Sequence, residues 1–184
     1  MQTFAEQFAV NYRNTVEDAV KLLATGFKQE LRDEGHVNTG KLVDSVRYEI
    51  KVIATSIIAY MYMEDYGFVV NQGVPANRIP YKKGSGNKFS KYIAGLIDYF
   101  KKKGLALVEG KRAAFATANK QVIVGMPTRG SFAYSNNGRR TKFVEATLQD
   151  NISKIYNLID TGIGSNAQLL FSDFINRITF EVNG

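Results

Sequence analysis

The chain has 184 residues, 45% of them hydrophobic and 22% charged, with no cysteine and a formal net charge of +7; this is the profile of a soluble globular protein long enough to bury its own core. It excludes disulfide scaffolds, cysteine-ligated zinc and thiol catalysis, and no apolar run approaches the ~20 residues that a membrane-spanning helix needs. The charge is unevenly spread: residues 78–142 hold fifteen Lys or Arg against only Asp98 and Glu109, a block of +13, whereas the two flanks together sum to −6.

The opening residues carry neither a basic n-region nor a continuous apolar stretch, so no secretory signal is expected and synthesis in a cytoplasm follows. Phe4, Phe8, Tyr12, Val16, Ala19, Leu23, Phe27 and Leu31 recur at spacings of three and four, which predicts one amphipathic helix of about eight turns. Gly35 and the residues up to Asn38 end it, and Thr39 caps a short helix through Lys41, Leu42 and Ser45. From Val46 the period changes to two: Val46, Tyr48, Ile50 and Val52 alternate with Arg47, Glu49 and Lys51, and a second apolar run follows at residues 57–63. Together they predict an antiparallel hairpin with one wet face, its register left open by a turn without Gly or Asn.

Residues 68–73 predict a helical turn or two stopped by Gly73, and residues 78–88 a loop broken by Pro80, Gly84 and Gly86. Phe89, Tyr92, Ile93, Leu96, Ile97 and Phe100 then give a helical stripe that runs out at Lys101, Lys102, Lys103 and Gly104. Those lysines suit the negative end of the helix dipole. A further helix covers residues 108–122, with Ala113, Ala114, Ala116 and Ala118 permitting close packing, and Gly125-Met126-Pro127 ends it. Residues 128–138 predict a loop. Helical spacing resumes from Thr141 through Phe143, Leu148, Ile152, Ile155 and Ile159, with a break expected at Gly162-Ile163-Gly164. Beyond it Ala167, Leu170, Phe171, Phe174 and Ile175 suggest another helix, while Ile178, Phe180 and Val182 alternate as a terminal strand would; both patterns stand. The fold class expected is α+β, with one domain over residues 1–161 and a C-terminal extension over 162–184 that reaches a neighbouring subunit or partner.

Chemistry that would mark an enzyme is not visible. His36 is the only histidine, which excludes a multi-histidine metal site, and its position predicts a solvated residue near a helix end. Adjacent carboxylates such as Asp33-Glu34 and Glu64-Asp65 do not converge on one ion, and the basic third supplies only two acids for a nuclease-type metal site. Residues 83–88 lack the spacing of a phosphate-binding loop. No catalytic residue, metal or cofactor is expected.

The basic loops carry more weight. Lysines on outer helix faces, such as Lys111 and Lys120, are ordinary solubilising residues. Arg78, Lys82, Lys83, Lys88, Arg129, Arg139, Arg140 and Lys142 instead sit on loops, where no amphipathic pattern calls for cations. Tyr81, Phe89, Phe132 and Tyr134 are interleaved with them, so these eight are the candidates for contact with DNA backbone or with an acidic protein partner. No sequence-reading motif accompanies them. A stand-alone, sequence-independent nucleic-acid-binding module is one reading of this block.

Three segments in order support another: Thr39-Gly40-Lys41-Leu42-Val43-Asp44-Ser45 before the hairpin, Tyr66-Gly67-Phe68-Val69-Val70-Asn71-Gln72-Gly73 after it, and Gly125-Met126-Pro127 with Arg140-Thr141-Lys142-Phe143-Val144-Glu145-Ala146 opening the late helix. This composite resembles the neck or tail-completion proteins of tailed bacteriophages, of the minor tail protein Z type, over roughly residues 1–160. The chain departs from that pattern at Asn71-Gln72-Gly73-Val74, where members carry an acidic residue and Gly-Thr, and in lacking a proline before Phe143. The resemblance implies a non-enzymatic virion protein that forms a homo-oligomeric ring at the neck. Its partners there are the portal or adaptor and tail proteins, with non-specific contact to packaged DNA, and it has no membrane and no small-molecule substrate.

Overall fold

The computed structural model describes residues 4–53, 56–82 and 90–182. It is mixed α+β, as the patterning predicts: α1 (Phe4–Asp33), α2 (Lys41–Ser45), β1 (Arg47–Ile53), β2 (Ser56–Tyr62), α3 (Tyr66–Gln72), α4 (Lys91–Lys102), α5 (Leu107–Val124) and α6 (Phe143–Val182), with 3-10 turns at Ala76–Arg78 and Arg129–Tyr134. The chain divides into two compact units, one drawn from residues 1–28, 46–62 and 145–184 and the other from 29–45 and 63–144. The charge division of the sequence follows this boundary. The first unit carries seven Lys or Arg against nine Asp or Glu, the second seventeen against eight.

In the first unit, β1 and β2 pair antiparallel in a register running from Arg47 opposite Tyr62 to Ile53 opposite Ser56, which settles the pairing that the turn chemistry left open. The turn residues, 54–55, lie outside the described residues. Tyr48 and Ile50 are half-buried, and the Tyr48 hydroxyl reaches Glu17 of α1 at 3.5 Å. Toward the hairpin tip burial is lost, and Val52 is 62% exposed. On α1 the buried positions of this unit are Val20, Ala24 and Phe27, while Phe8, Val10 and Tyr12 remain exposed, so the apolar stripe expected along the whole helix is covered only in its second half.

The break expected at Gly162 is absent. A single helix, α6, runs from Phe143 to Val182, and the stretch in which a terminal strand was one option is its last turns. Glycine weakens a helix by roughly 1 kcal/mol relative to alanine but does not end one when tertiary packing needs its small size. Here it does: a Cβ on Gly162 would fall on the Thr15 side chain, and one on Gly26 would come within 2.6 Å of Thr147 Cγ2. These two close approaches run α1 and α6 antiparallel.

The second unit gathers the end of α1, α2, α3, α4 and α5 around Leu31, Leu42, Val43, Ile79, Ile93, Ala114, Ala118 and Phe143. Ile93 sits on the inner face of α4, whose first turn is capped by Ser90 accepting the backbone N–H of Ile93 at 3.2 Å. Ala114 and Ala118 are fully buried on α5, the role that their size suggests. Gly73 (φ 74°) ends α3 and Gly125 (φ 79°) ends α5, and the two exits are tied together by Val74 and Met126, which exchange backbone hydrogen bonds of 2.8 and 2.7 Å. The region expected to be plain loop at 128–138 contains the 3-10 turn Arg129–Tyr134.

Candidate functional site

The second unit holds a cavity of about 460 Å³ whose wall is largely apolar, with Val69, Val70, Leu96, Phe100, Met126 and Pro127 contributing, and whose polar members include His36, Tyr99, Gln121, Tyr134 and Arg140. Each wall has a local cause. Gly73 and Gly125 leave α3 and α5 with positive φ and extended ψ, a conformation essentially confined to glycine, and the residues that follow them, Val74 and Met126, line the cavity. Leu96, Tyr99 and Phe100 come from the same face of α4 at spacings of three and four. Gln121, on α5, is buried and accepts a short hydrogen bond from the Tyr92 hydroxyl.

Arg140 forms the charged corner. One of its Nη1 protons is donated to the carbonyl of Glu34 in a short bond, its Nε is buried with no hydrogen-bond partner, and burial pulls its guanidinium below the usual arginine range, against the opposing pull of Tyr99 and Glu34. The Glu34 side chain is 0% exposed, with Oε2 at 3.0 Å from His36 Nε2. His36 is therefore not the solvated residue that its place near a helix end predicts. Its side chain is 13% exposed, and its Nε2 also lies 3.2 Å from the Arg140 carbonyl oxygen. The reason is the turn after α1: Gly35 at φ 72° folds the chain back, so Glu34 and His36 point toward the segment around Arg140.

The adjacent Arg139 is 44% exposed but is tied to an acid of α1. Its Nε donates to Glu30 Oε1 at 2.9 Å, and the Asn137 amide donates to the same oxygen at 2.7 Å. Two of the eight candidate contact residues are thus engaged within their own unit, Arg139 with the Glu30 carboxylate and Arg140 with the Glu34 backbone carbonyl, neither of which the sequence singles out. A signal existed, since Glu30 and Glu34 flank the core residue Leu31 at a spacing of four and so lie on the inner side of α1. Arg78, at the end of the 3-10 turn Ala76–Arg78, and Lys82, Arg129 and Lys142 are exposed. Lys142 sits at φ 65° and donates its backbone N–H to Asn71 O at 2.8 Å, immediately before α6. Lys83 and Lys88 lie outside the described residues.

The first unit has two features that the basic block does not include. One is a cleft of about 320 Å³ lined by Lys21, Lys28, Arg47 and Tyr48, cationic although this unit is net acidic. Lys21 is held there by Glu17 at 2.9 Å, a contact that raises the lysine pKa and lowers that of the glutamate. The other is a row of large apolar side chains on α6, Leu148, Ile152, Tyr156, Ile159 and Ile163, all exposed and spaced by four, four, three and four residues. The row extends about 22 Å along the helix. It lies beside the face that packs on α1 through Thr147, Asn151 and Gly162.

Among the described residues no group of three or more His, Asp or Glu is placed to hold a metal ion, and no helix is long and apolar enough to cross a membrane. No protein-family model, curated protein or solved structure matches this chain.

Proposed function

We propose that the chain is a structural subunit of a tailed-bacteriophage neck, forming a ring that joins portal and tail around the passage for DNA. The observation that carries this reading is the exposed apolar row from Leu148 to Ile163 on α6. Five large side chains at heptad-like spacing form a seam that a soluble monomer has no reason to keep in water, and burying such a seam favours association by roughly 25 cal/mol per Å² covered. The uneven charge of the two units, +9 against −2 by residue count, favours head-to-tail contact between copies, the geometry that closes a ring. The order of the three short motifs around the hairpin and the start of α6 agrees with the same family. The exposed cations Arg78, Lys82, Arg129 and Lys142 supply the sequence-independent contact that packaged DNA or an acidic neighbour requires.

Electron microscopy and native mass spectrometry of the purified protein, with and without Ile152→Asp plus Tyr156→Glu, test the proposal. Closed rings that the double variant loses while it keeps its helical content are the expected result. A chain that stays monomeric at all concentrations and has no coaxial place in a viral particle overturns it. Salt-sensitive DNA binding by such a monomer would instead favour a stand-alone nucleic-acid-binding module, which the charge of the second unit also supports.

A further inference from the structure

We propose that the β1–β2 sheet is continued between copies of this chain, the free edge of β2 in one copy pairing antiparallel with the free edge of β1 in the next, in the register of the hairpin itself. This contact rests on the assembly reading in that copies must meet, but it uses other residues than the row on α6. Among the described residues the sheet has two strands, so each keeps one edge without a neighbour. In an antiparallel pair every second residue of each strand turns both its N–H and its C=O away from its partner. Among the described residues, no backbone group of 47–53 or 56–62 bonds to anything outside the hairpin. Edges that stay solitary are guarded by charge, proline or a bulge. β2, from Ser56 to Tyr62, has no charged residue, no proline and no glycine, and its register with β1 runs without a bulge. At the tip Val52, Ile53 and Ile58 are exposed, which adds apolar surface to the unguarded edge.

The partner that fits β2 is the other edge of the same hairpin. On the wet face Arg47 lies over the Tyr62 ring at 4.6 Å and Lys51 over the Tyr60 ring at 5.2 Å, and the two rings stack with centroids 6.4 Å apart. β1 thus supplies cations and β2 supplies rings. A neighbour's β1 repeats that pairing on the open side of the rings, where a second β2 would bring only more rings. The backbone agrees: residues opposite each other in an antiparallel pair turn the same way, so repeating the register of Arg47 opposite Tyr62 sets the outward groups of β2 against those of β1. Such pairing is head-to-tail, and a closed ring leaves neither edge open. The unit that carries the hairpin, at −2 by residue count, offers a second copy little repulsion.

Hydrogen exchange of the full chain, followed by mass spectrometry on peptides from β1 and β2 across a range of protein concentration, tests this. Dilute protein should protect about half of the amides of each strand, and association should slow the other half by at least about tenfold. The chain has no cysteine, which permits a second readout. Ile53 and Ser56 are exposed and lie opposite each other in the register, apart from the stacked rings. Separate preparations of Ile53→Cys and Ser56→Cys, mixed under mild oxidation, should give a disulfide-linked pair that neither gives alone. Strand exchange that association leaves unchanged, a mixture no more cross-linked than its components, or a chain that never associates would each overturn the proposal. The first of these, seen in closed rings, would leave the ring reading standing. Assemblies of the Ile152→Asp plus Tyr156→Glu protein that give both signals without closing into rings would support the pairing and count against the ring.

Discussion

The side-chain oxygen of Asn71 accepts the backbone N–H of Val144 at 2.9 Å while the Asn71 carbonyl accepts that of Lys142 at 2.8 Å, so a residue near the end of α3 caps the start of α6. The first turn of a helix leaves four N–H groups without intrahelical partners, and buried ones must find an acceptor. Asn71 is 7% exposed and Phe143, between the two donors, is fully buried, so water cannot replace it. Asn71→Ala should cost about 1–2 kcal/mol in urea unfolding, whereas Asn71→Asp keeps the acceptor, adds a negative charge at the positive end of the helix, and should retain most of the stability. Equal midpoints for Asn71→Ala and the unaltered protein would remove the capping role.

The tie between Arg139 and Glu30 makes a different prediction. Glu30 is largely buried and its Oε1 serves both Arg139 and Asn137, so it is the acceptor, not the two exposed donors, that depends on these bonds. Glu30→Ala and Arg139→Ala should each destabilise the second unit, and the double variant should be less damaged than the sum, with a coupling of about 0.5 kcal/mol that salt weakens because Arg139 is 44% exposed. In contrast, charge reversal at exposed Arg78, Lys82, Arg129 and Lys142 should leave the unfolding midpoint within about 0.5 kcal/mol of the parent. A salt-dependent DNA affinity, if the protein has one, should follow the second set and not the first.

What the sequence made legible was what is decided locally. The α4 stripe and the β1 alternation are short-range periodicities, and the burial of Ile93 and the half-burial of Tyr48 and Ile50 follow from them directly. The partners of Arg139 and Arg140 lie 109 and 106 residues away along the chain, so counting charge in a window places both in a basic patch, while in the folded unit Arg139 meets the Glu30 carboxylate and Arg140 the Glu34 carbonyl. The exposure of Phe8, Val10 and Tyr12 is equally non-local. A stripe of apolar residues states that a helix has a face to cover, and the length over which that face is covered depends on other elements.

Tyrosine ionisation gives a pH test. Tyr62 donates its hydroxyl to Glu49 Oε2 at 3.0 Å, and this bond, with lesser help from burial and the Glu49 charge, raises its pKa above the ordinary tyrosine value; burial does the same for Tyr92 and Tyr99. A folded-state pKa above the unfolded one means that the native protein holds the proton more tightly. The stabilisation is then complete below about pH 10 and is lost as pH rises through the raised values. Ultraviolet phenolate absorbance should show a late component from Tyr62, Tyr92 and Tyr99 in the folded protein that disappears in denaturant. Tyr62→Phe should remove one of the three, and a titration with no late component would contradict the assignment.

Gly162 and Gly164 look alike in sequence, and the fold separates them. A Cβ at Gly164 meets nothing within 4 Å, whereas one at Gly162 would overlap the Thr15 side chain, whose Oγ1 is tied to the Asn11 carbonyl at 3.0 Å and so is not free to swing aside. Both positions lie inside α6, where alanine is intrinsically better than glycine. Gly164→Ala should therefore stabilise the protein by about 0.5–1 kcal/mol, while Gly162→Ala should destabilise it by about 1–3 kcal/mol because the overlap outweighs the helix propensity. Thr15→Ala removes Oγ1 and Cγ2, the atoms that a Cβ at 162 would strike first, so Thr15→Ala combined with Gly162→Ala should recover most of the loss, a non-additivity that only direct contact between α1 and α6 produces. Thermal melts of the four variants decide it. If Gly162→Ala and Gly164→Ala raised the midpoint alike, the close approach of α6 to Thr15 would be excluded, and Gly162 would have no packing reason to be glycine.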